Sequence, residues 1–261
     1  MPAPGTLVLL RHGQSVLNAQ DRFTGLLDPP LTEAGKDEAA RAGALLVSAA
    51  FSPGTVYIST LSRTRDTARI VLDVLGRPDV PVIPAWELNE RSYGSLTGGL
   101  RQELMSELGP EVFHFWRRSY YGAPPPMSRS QLAAVRRSPA FAGLPPEALL
   151  PTESLCGVVK RVRILWHQHL RPRLRAGEDV LVIGHGNSLR AVCRVLDRLT
   201  DAEVEALNIP TGHPLLYRFT PDRAPLVRGG EYLNPLAART AAALVAATGG
   251  TLETRNGHSH V

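Results

Sequence analysis

Residues 7–18 read LVLLRHGQSVLN, and this stretch decides the expected fold. Residues 7–10 are all apolar, and so short a run is typical of a strand buried on both faces of a parallel sheet. The run ends at Arg11, His12 and Gly13, which bring a guanidinium suited to phosphate, an imidazole that titrates near neutrality and a backbone open to close approach. Open α/β sheets bind ligands at the carboxyl ends of their strands, so we expect a ligand site here.

The same arrangement occurs again near the other end of the chain. Residues 180–187 read VLVIGHGN, an apolar run followed by His185 and Gly186. Two strands that each end in His-Gly are much less expected by chance than one, so both histidines are interpreted as functional rather than as structural loop residues. Arg63 lies near the junction of the strand expected at 55–58 with the next helix, where helix amides favour an anion.

The rest of the chain alternates predicted strands with predicted helices. Such alternation, with no internal repeat, is typical of an α/β fold. We expect a three-layer α/β sandwich, with a mostly parallel central sheet flanked by helices, in a single domain over residues 1–261. Further strands are expected at 55–58, 80–83 and 215–219, and helices at 33–49, 63–75, 101–108, 113–118, 152–175, 188–197 and 201–207.

Two segments depart from this alternation. Prolines and glycines recur without clear periodicity from about 120 to 151, which indicates an excursion over the surface, either a lid or a floppy insertion. The alanine-rich tail, about 236–261, is expected to be mobile. His258 and His260 within it are interpreted as solvated rather than as metal ligands.

The composition and the patterning of the chain argue against several classes of function. The formal net charge is +5, and almost all the cations are arginines. No basic run is interleaved with aromatic residues, so nucleic-acid binding is not expected, and no apolar stretch is long enough for a bilayer. The start, MPAPGT, lacks the features of a signal peptide, and Cys156 and Cys193 form no CxxC pair. We expect a cytoplasmic protein with an anionic small ligand, although codon bias explains most surface arginines.

These motifs resemble the histidine phosphatase superfamily, and most closely its cofactor-dependent phosphoglycerate mutases. The superfamily likeness rests on LVLLRHGQSVLN, Arg63, NERSYG at 89–94 and VIGHGNSLR at 182–190. The mutase likeness adds DRFTGLLDPPLTEAG at 21–35, FWRRSY at 115–120, PTESL at 151–155 and LNIPTGHPLLY at 207–217. The resemblance covers roughly residues 5–235, and it implies the three-layer fold expected above.

The resemblance also implies a role for each matching residue. His12 is expected to be the nucleophile that becomes phosphohistidine, and Glu90 to be the group that donates and accepts a proton. The transferring phosphoryl group is expected to be held by Arg11, Asn18, Arg63, His185, Gly186 and Asn187. The rest of the substrate is expected to be held by Thr24, Gly25, Arg91, Ser92, Tyr93, Arg101, Arg117 and Arg118.

These roles agree with elementary chemistry. Phosphoryl transfer requires mainly positioning and the neutralisation of charge on oxygens, which arginines and a second histidine supply. No metal is then needed, and the sequence has no acidic cluster with ligand spacing. His12 must be unprotonated on its attacking nitrogen, whereas His185 helps most when it donates a hydrogen bond or is protonated. Opposite preferences in one pocket are typical of a working site.

The chain departs from the mutase pattern at three places. Ser92 stands where the family usually has histidine, Leu100-Arg101 stand where the motif usually ends in a lysine, and Gln14 replaces a common glutamate. Arginine in place of lysine keeps the charge but changes its shape. In the resembling enzymes the first two positions lie beside the substrate carboxylate or the remote phosphate. The departures therefore bear on substrate preference and leave the phosphoryl chemistry untouched.

The resemblance leads to one favoured hypothesis and two alternatives. The favoured function is interconversion of 3-phosphoglycerate and 2-phosphoglycerate through a phosphohistidine, primed by 2,3-bisphosphoglycerate, in a homodimer or homotetramer. The first alternative is a phosphatase of the same superfamily that hydrolyses small phosphomonoesters. The second is a module that senses a phosphorylated ligand without turnover, against which the intact pair of His12 and Glu90 argues.

Overall fold

A six-stranded sheet forms the centre of the computed structural model, which describes residues 3–220 and 224–247. Its strands are β1 (Leu7–Arg11), β2 (Thr55–Ile58), β3 (Val82–Pro84), β4 (Val180–Gly184), β5 (Leu215–Tyr217) and β6 (Glu231–Tyr232). Across the sheet their order is β3-β2-β4-β1-β5-β6. β3 begins two residues later than predicted, and β6 was not predicted.

The two strands that end in His-Gly are neighbours at the centre of the sheet. β1 and β4 run parallel, in register from Leu7 opposite Val180 to Arg11 opposite Gly184. β2 and β3 continue the parallel arrangement beyond β4, whereas β5 and β6 form an antiparallel edge beyond β1. The predicted mostly parallel sheet is confirmed. Because β1 and β4 end at the same level, the residues that come after them emerge side by side.

Helices connect the strands and cover both faces of the sheet. Those in the described part of the chain are α1 (Val16–Ala19), α2 (Glu33–Ser48), α3 (Ser62–Leu75), α4 (Arg101–Leu108), α5 (Pro110–Arg118), α6 (Arg129–Arg136), α7 (Leu155–Leu165), α8 (Arg171–Arg175), α9 (Gly186–Asp197), α10 (Asp201–Ala206) and α11 (Pro235–Ala247). None of them combines the length and the apolarity that crossing a bilayer requires.

Side chains alternate along the central strands and fill two separate cores. Leu7 and Leu9 of β1 pack on one face with apolar residues of α7 and α9. Val8 and Leu10 point to the other face and pack with residues of α2 and α3. All four leucine and valine side chains are fully buried, as expected for a strand covered on both faces. Helix, sheet and helix therefore form the predicted three layers.

The long helix expected over 152–175 differs from the prediction at its start and in its middle. The hydroxyl of Thr152 donates to the carbonyl of Pro124 at 2.6 Å and caps no helix. Ser154 instead accepts from the amide of Gly157, so α7 begins at Leu155. A π-helical segment, Trp166–Leu170, then joins α7 to α8.

The two segments set apart in the sequence contain ordered structure. Residues 120–151 include α6, and their apolar side chains pack with Leu26 and Leu61 in a small core of their own. The first part of the predicted tail is α11, while residues 248–261 lie outside the described residues. The mobility predicted for the tail stays a prediction.

Candidate active site

His12 and His185 meet at the carboxyl ends of β1 and β4. The amide of His12 donates to the carbonyl of Gly184 at 3.1 Å, which extends the ladder between the strands by one bond. The two imidazole rings pack edge to face with their centroids 4.8 Å apart. Both rings are almost completely buried. The two motifs that the sequence separates by more than 170 residues therefore form one site.

Hydrogen bonds determine which nitrogen of His12 carries the proton. Nδ1 lies 2.7 Å from the carbonyl oxygen of Gly13, which can only accept, so Nδ1 must be the donor. Nε2 is then the unprotonated nitrogen, and it accepts from Nε of Arg63 at 3.3 Å. This tautomer presents the Nε2 lone pair as the nucleophilic atom.

Burial and positive neighbours keep both histidines neutral. Burial lowers the pKa of His12 well below its ordinary value, and the charges of Arg63 and Arg11 lower it further, whereas the bond to Gly13 raises it. Burial is also the largest cause of the depressed pKa of His185, followed by Arg63. A neutral imidazole at physiological pH is the form that a phosphoryl acceptor requires.

The loop between α1 and α2 holds Arg63 on the first turn of α3. Its NH1 and NH2 groups donate to the carbonyls of Leu27 at 2.8 Å and Gly25 at 3.2 Å. Asp28 lies 3.8 Å from NH1 and accepts from the amide and the hydroxyl of Ser62, both at 2.8 Å. Burial lowers the pKa of Arg63 to about 10, so the guanidinium stays charged at neutral pH.

Arg11 and His185 each contain a buried nitrogen with no protein partner. NH1 of Arg11 donates to the carbonyl of Ile209 at 2.9 Å, but Nε has no acceptor. Nε2 of His185 shares a hydrogen bond with Oγ of Ser59 at 2.7 Å, and Nδ1 has no partner. A buried polar group without a hydrogen bond costs free energy, so these atoms indicate a polar ligand that satisfies them.

Glu90 approaches the histidines from the loop that follows β3. Its Oε1 accepts from the amide of Arg91 at 2.8 Å and from Asn187, through Nδ2 at 2.9 Å and the backbone amide at 3.3 Å. These bonds all go to one oxygen. The other carboxylate oxygen, Oε2, lies beside Gly186. A Cβ at residue 186 would lie 3.8 Å from this oxygen and 3.8 Å from Cζ of Arg11, so glycine leaves the space between them open.

Asn187 connects Glu90 with Tyr93. Besides bonding Oε1 of Glu90, its Nδ2 donates to the Tyr93 hydroxyl at 2.8 Å, while its Oδ1 accepts from NH1 of Arg190 at 2.9 Å. Burial alone would raise the pKa of Tyr93, but Arg91 and other neighbours outweigh it and leave that pKa below its ordinary value. The amide orientation is therefore set by a cation on one side and two oxygen acceptors on the other.

These groups surround a cavity of about 240 Å³. Thirteen of the predicted site residues line it: Arg11, His12, Asn18, Thr24, Gly25, Arg63, Glu90, Tyr93, Arg101, Arg117, Arg118, Gly186 and Asn187. Its six arginines outnumber its two carboxylates, so the cavity favours an anion. Among residues 3–220 and 224–247, no three side chains of His, Cys, Asp and Glu are grouped as a metal site would require.

A second set of cations lies away from the histidines. Arg101 begins α4 and forms an ion pair with Asp21, and Arg117 and Arg118 end α5. Arg118 donates to Oδ1 of Asn208. Burial lowers the pKa of Arg117 to about 9, and the charge of Arg101 contributes to the shift. Such crowding of like charges indicates a site prepared for a ligand with more than one anionic group.

Three predicted residues do not line the cavity. His185 is fully buried, edge to face with His12, and Ser92 is buried with its hydroxyl unpaired. Arg91 is fully buried beneath Tyr93, with Cζ 4.6 Å from the centre of that ring, and it donates to the carbonyls of Trp116 and Arg117 at 2.9 Å. Arg91 therefore supports Tyr93 and the end of α5, while its Nε and NH1 have no protein partner, and its predicted contact with substrate stays a prediction.

Sequence reasoning missed several residues that line the cavity. Arg190 is the main one, and its only signal was a position three residues after Asn187 on a predicted helix. Leu244 and Val245 of α11 also reach the cavity, although their segment was expected to be a mobile tail. The other unpredicted lining residues are Gln14, Asp21, Leu207, Asn208, Ile209 and Thr211.

Comparisons with known proteins agree with this geometry. Residues 7–144 match the model of the histidine phosphatase superfamily, branch 1. The 2,3-bisphosphoglycerate-dependent phosphoglycerate mutase of Thermobifida fusca is 46% identical over 236 residues, which cover 90% of this chain and 96% of that protein. The protein of the same name from Bifidobacterium longum is 46% identical over 244 residues, covering 93% and 98%.

A solved structure supports the same assignment at the level of the fold. YhfR of Bacillus stearothermophilus has a TM-score of 0.66 at 22% identity, covering 88% of this chain and 98% of its own. The resemblance predicted from the motifs is confirmed by the family match and by the relatives. The chain belongs to the histidine phosphatase superfamily and, within it, to the family of the 2,3-bisphosphoglycerate-dependent phosphoglycerate mutases.

Proposed function

We propose that this protein is a phosphoglycerate mutase that interconverts 3-phosphoglycerate and 2-phosphoglycerate through a phosphohistidine at His12. The single observation that carries the proposal is the presence of two cation sets around one cavity. Arg11 and Arg63 are the cations whose charges lower the pKa of His12, whereas Arg101, Arg117 and Arg118 line the same cavity without being among the charges that shift it. A monophosphoglycerate has two anionic groups, so it matches both sets. The relatives at 46% identity carry the name of this activity.

In the transfer step, Nε2 of His12 attacks the phosphorus of the bound ester. The bond from Nε2 to phosphorus forms as the bond from phosphorus to the ester oxygen breaks, and the electron pair goes to that oxygen. Arg11, Arg63 and Nδ1 of His185 offer donors to the phosphoryl oxygens, where charge must be stabilised in the transition state. A proton must reach the departing oxygen, and Glu90 is the acid placed to deliver it.

In the primed enzyme the reverse step comes first and places the phosphoryl group of His12 on the free hydroxyl of the bound monophosphoglycerate. The carboxylate of Glu90 takes the proton of that hydroxyl as its oxygen attacks phosphorus and the bond to Nε2 of His12 breaks. The bound molecule, which now carries two phosphoryl groups, must turn before Nε2 attacks the original one as described above. Arg101, Arg117 and Arg118 are proposed to hold it, since paired guanidinium bonds orient carboxylate and phosphate groups.

The priming ligand fits the same residues. When bound, 2,3-bisphosphoglycerate supplies the phosphoryl group that converts His12 to its phosphorylated form. The unpaired Nε of Arg11 and Nδ1 of His185 suit one phosphate, and the crowded pair Arg117 and Arg118 suits the other. Arginines provide the neutralising charge in this arrangement, so we propose that no metal takes part in the transfer.

Phosphorus NMR of product formation tests the proposal. 3-Phosphoglycerate is added with and without 2,3-bisphosphoglycerate, and the appearance of 2-phosphoglycerate, accelerated by the bisphosphate, is expected. His12→Ala is the matched control and should form no 2-phosphoglycerate from 3-phosphoglycerate. Inorganic phosphate as the main product would make the protein a phosphatase. Binding of 3-phosphoglycerate without any product would make it a sensor, and either result would overturn the proposal.

The setting in which the enzyme works is proposed from the resemblance alone. We propose a homodimer or homotetramer that acts in the cytoplasm on phosphoglycerates as its small-molecule partners. Light scattering coupled to size-exclusion chromatography tests the oligomeric state, and a single-chain mass of about 28.3 kDa would exclude both assemblies.

A further inference from the structure

A buried ion pair lies outside the cavity, behind the segment that carries Glu90. Nε and NH2 of Arg161 donate to the two carboxylate oxygens of Glu153 at 2.8 and 2.9 Å. The side chains are only 8% and 7% exposed. Neither residue lines the cavity, and neither has a part in the transfer steps above. Glu153 belongs to the PTESL motif, which the proposed mechanism has not used.

The pair contacts the backbone on both sides of Glu90. NH1 of Arg161 donates to the carbonyl of Glu87 at 2.5 Å, and NH2 reaches the carbonyl of Glu90 itself at 3.4 Å. The amide of Glu153 donates to the carbonyl of Ser92 at 3.1 Å. Arg161 and Glu153 thus donate hydrogen bonds to three backbone carbonyls within residues 87–92.

These hydrogen bonds from Arg161 and Glu153 matter because residues 86–93, which carry Glu90, have little regular structure of their own. These residues consist of a single 3-10 turn, Trp86–Leu88, and an irregular loop that continues to Tyr93. Arg161, by contrast, lies in α7, whose residues Val158 and Val162 are fully buried in the core against the sheet. The guanidinium therefore connects an irregular stretch of backbone to a helix whose apolar side is fully buried in the core.

We propose that Glu153 and Arg161 are positioning residues that fix the backbone of Glu90, so that its carboxylate meets the departing oxygen in the correct place. The inference rests on the proposed role of Glu90 as proton donor. Arginine suits the task because its planar fork bonds both oxygens of Glu153 while a third nitrogen remains for Glu87. A lysine ammonium has no such fixed geometry.

The pairing also determines what each substitution does. Glu153→Gln keeps the size of the side chain but leaves the buried charge of Arg161 without its counter-charge. Arg161→Lys keeps the charge but removes the fork. Arg163→Met is a matched control, because Arg163 is an exposed residue of the same helix that does not line the active-site cavity.

Two substrates distinguish a loss of correct positioning of Glu90 from a general loss of active-site structure. An alcohol leaving group, as in a phosphoglycerate, needs the proton from Glu90, whereas p-nitrophenolate departs without one. We expect Glu153→Gln and Arg161→Lys to lower kcat for phosphoglycerate turnover on the order of 100-fold with little change in KM. The first-turnover release of p-nitrophenol from p-nitrophenyl phosphate should fall less than about 5-fold, since that step needs His12 but no proton.

The outcomes divide clearly between support and refutation. The proposal is supported if both variants lose phosphoglycerate turnover selectively and Arg163→Met keeps it. Glu153→Asp, which retains the carboxylate, should be more active than Glu153→Gln. Equal loss of both reactions, or loss of neither, overturns the proposal; if one variant fails to fold, the other decides. The mutase proposal stands apart from this test. If the wild type hydrolyses 3-phosphoglycerate instead of isomerising it, the same comparison of leaving groups is made on hydrolysis.

Discussion

The neutral state of the two buried histidines predicts a distinctive loss of stability in mild acid. In the unfolded chain each histidine titrates near its ordinary pKa, about 6.5. In the folded chain the pKa of His12 and the pKa of His185 are both held well below that value, chiefly by burial. Below about pH 6.5 the unfolded state therefore binds protons that the folded state excludes, and the free energy of unfolding falls as pH falls.

The magnitude is obtained from proton linkage. Protonation of one unfolded histidine can lower the free energy of unfolding by at most about 1.2 kcal/mol between about pH 6 and pH 5. Two such groups set an upper limit of about 2.4 kcal/mol over the same interval. Above about pH 7 both imidazoles are neutral in either state, and this stability is fully present.

Two substitutions isolate the effect. His12→Asn retains a donor for the carbonyl of Gly13, and His185→Gln retains a polar atom for Ser59, but neither can titrate. Urea unfolding is followed from about pH 7 to about pH 5 in a buffer without phosphate, because a bound anion would stabilise the folded state. Each variant should lose less stability than the wild type between about pH 6 and pH 5, by up to about 1.2 kcal/mol. Identical losses in all three proteins would refute the neutral histidine pair.

Three further predictions concern the chemistry and the scaffold of the site. His12→Ala should take up no acid-labile, base-stable label from labelled bisphosphate, and wild-type labelling would exclude His12 as the acceptor. Replacing Arg117 and Arg118 with methionine should weaken binding of the bisphosphate by at least roughly 100-fold, since charge-assisted hydrogen bonds contribute about 1.5–3 kcal/mol each, and should raise the ratio of inorganic phosphate to isomer; an unchanged dissociation constant by calorimetry would contradict it. Asp28→Ala should lower the free energy of unfolding by about 1–2 kcal/mol, because Asp28 caps the first turn of α3 through Ser62, and no change in urea unfolding would count against that cap.

The response to chelation forms a separate test of the arginine-rich site. Activity should persist in EDTA, because guanidinium groups provide the charge that a metal would otherwise supply. Loss of turnover that a divalent ion restores would overturn this prediction.

The framework of the site could be predicted from the sequence because it depends on local patterns. An apolar run of four residues identifies a buried strand, and parallel strands bring the loops at their carboxyl ends to one edge of the sheet. His12 and His185 could therefore be paired in advance, although the strands that precede them are far apart in the chain. Arg63 was predictable for the same reason, since it begins a helix after a strand.

The start of α11 carried a local signal that the prediction overlooked. Oδ1 of Asn234 accepts from the amide of Ala237 at 3.2 Å, and Pro235 stands at the first helical position. Only packing against the folded domain brings Leu244 and Val245 to the cavity. The start of α11 could therefore have been found from the Asn234-Pro235 pair, whereas its approach to the cavity could not, because that depends on tertiary contacts.

By itself, the sequence determined that His12 and His185 follow buried strands and that Arg63 lies in the first turn of a helix, and hence the centre of the candidate site. Only the tertiary structure decided where the long side chains point. Arg91 bonds the carbonyls at the end of α5, Arg190 orients Asn187, and Arg161 joins Glu153 to the segment of Glu90. The physical reason is that a guanidinium bonds the acceptors that folding brings within its reach, and those acceptors come from distant parts of the chain.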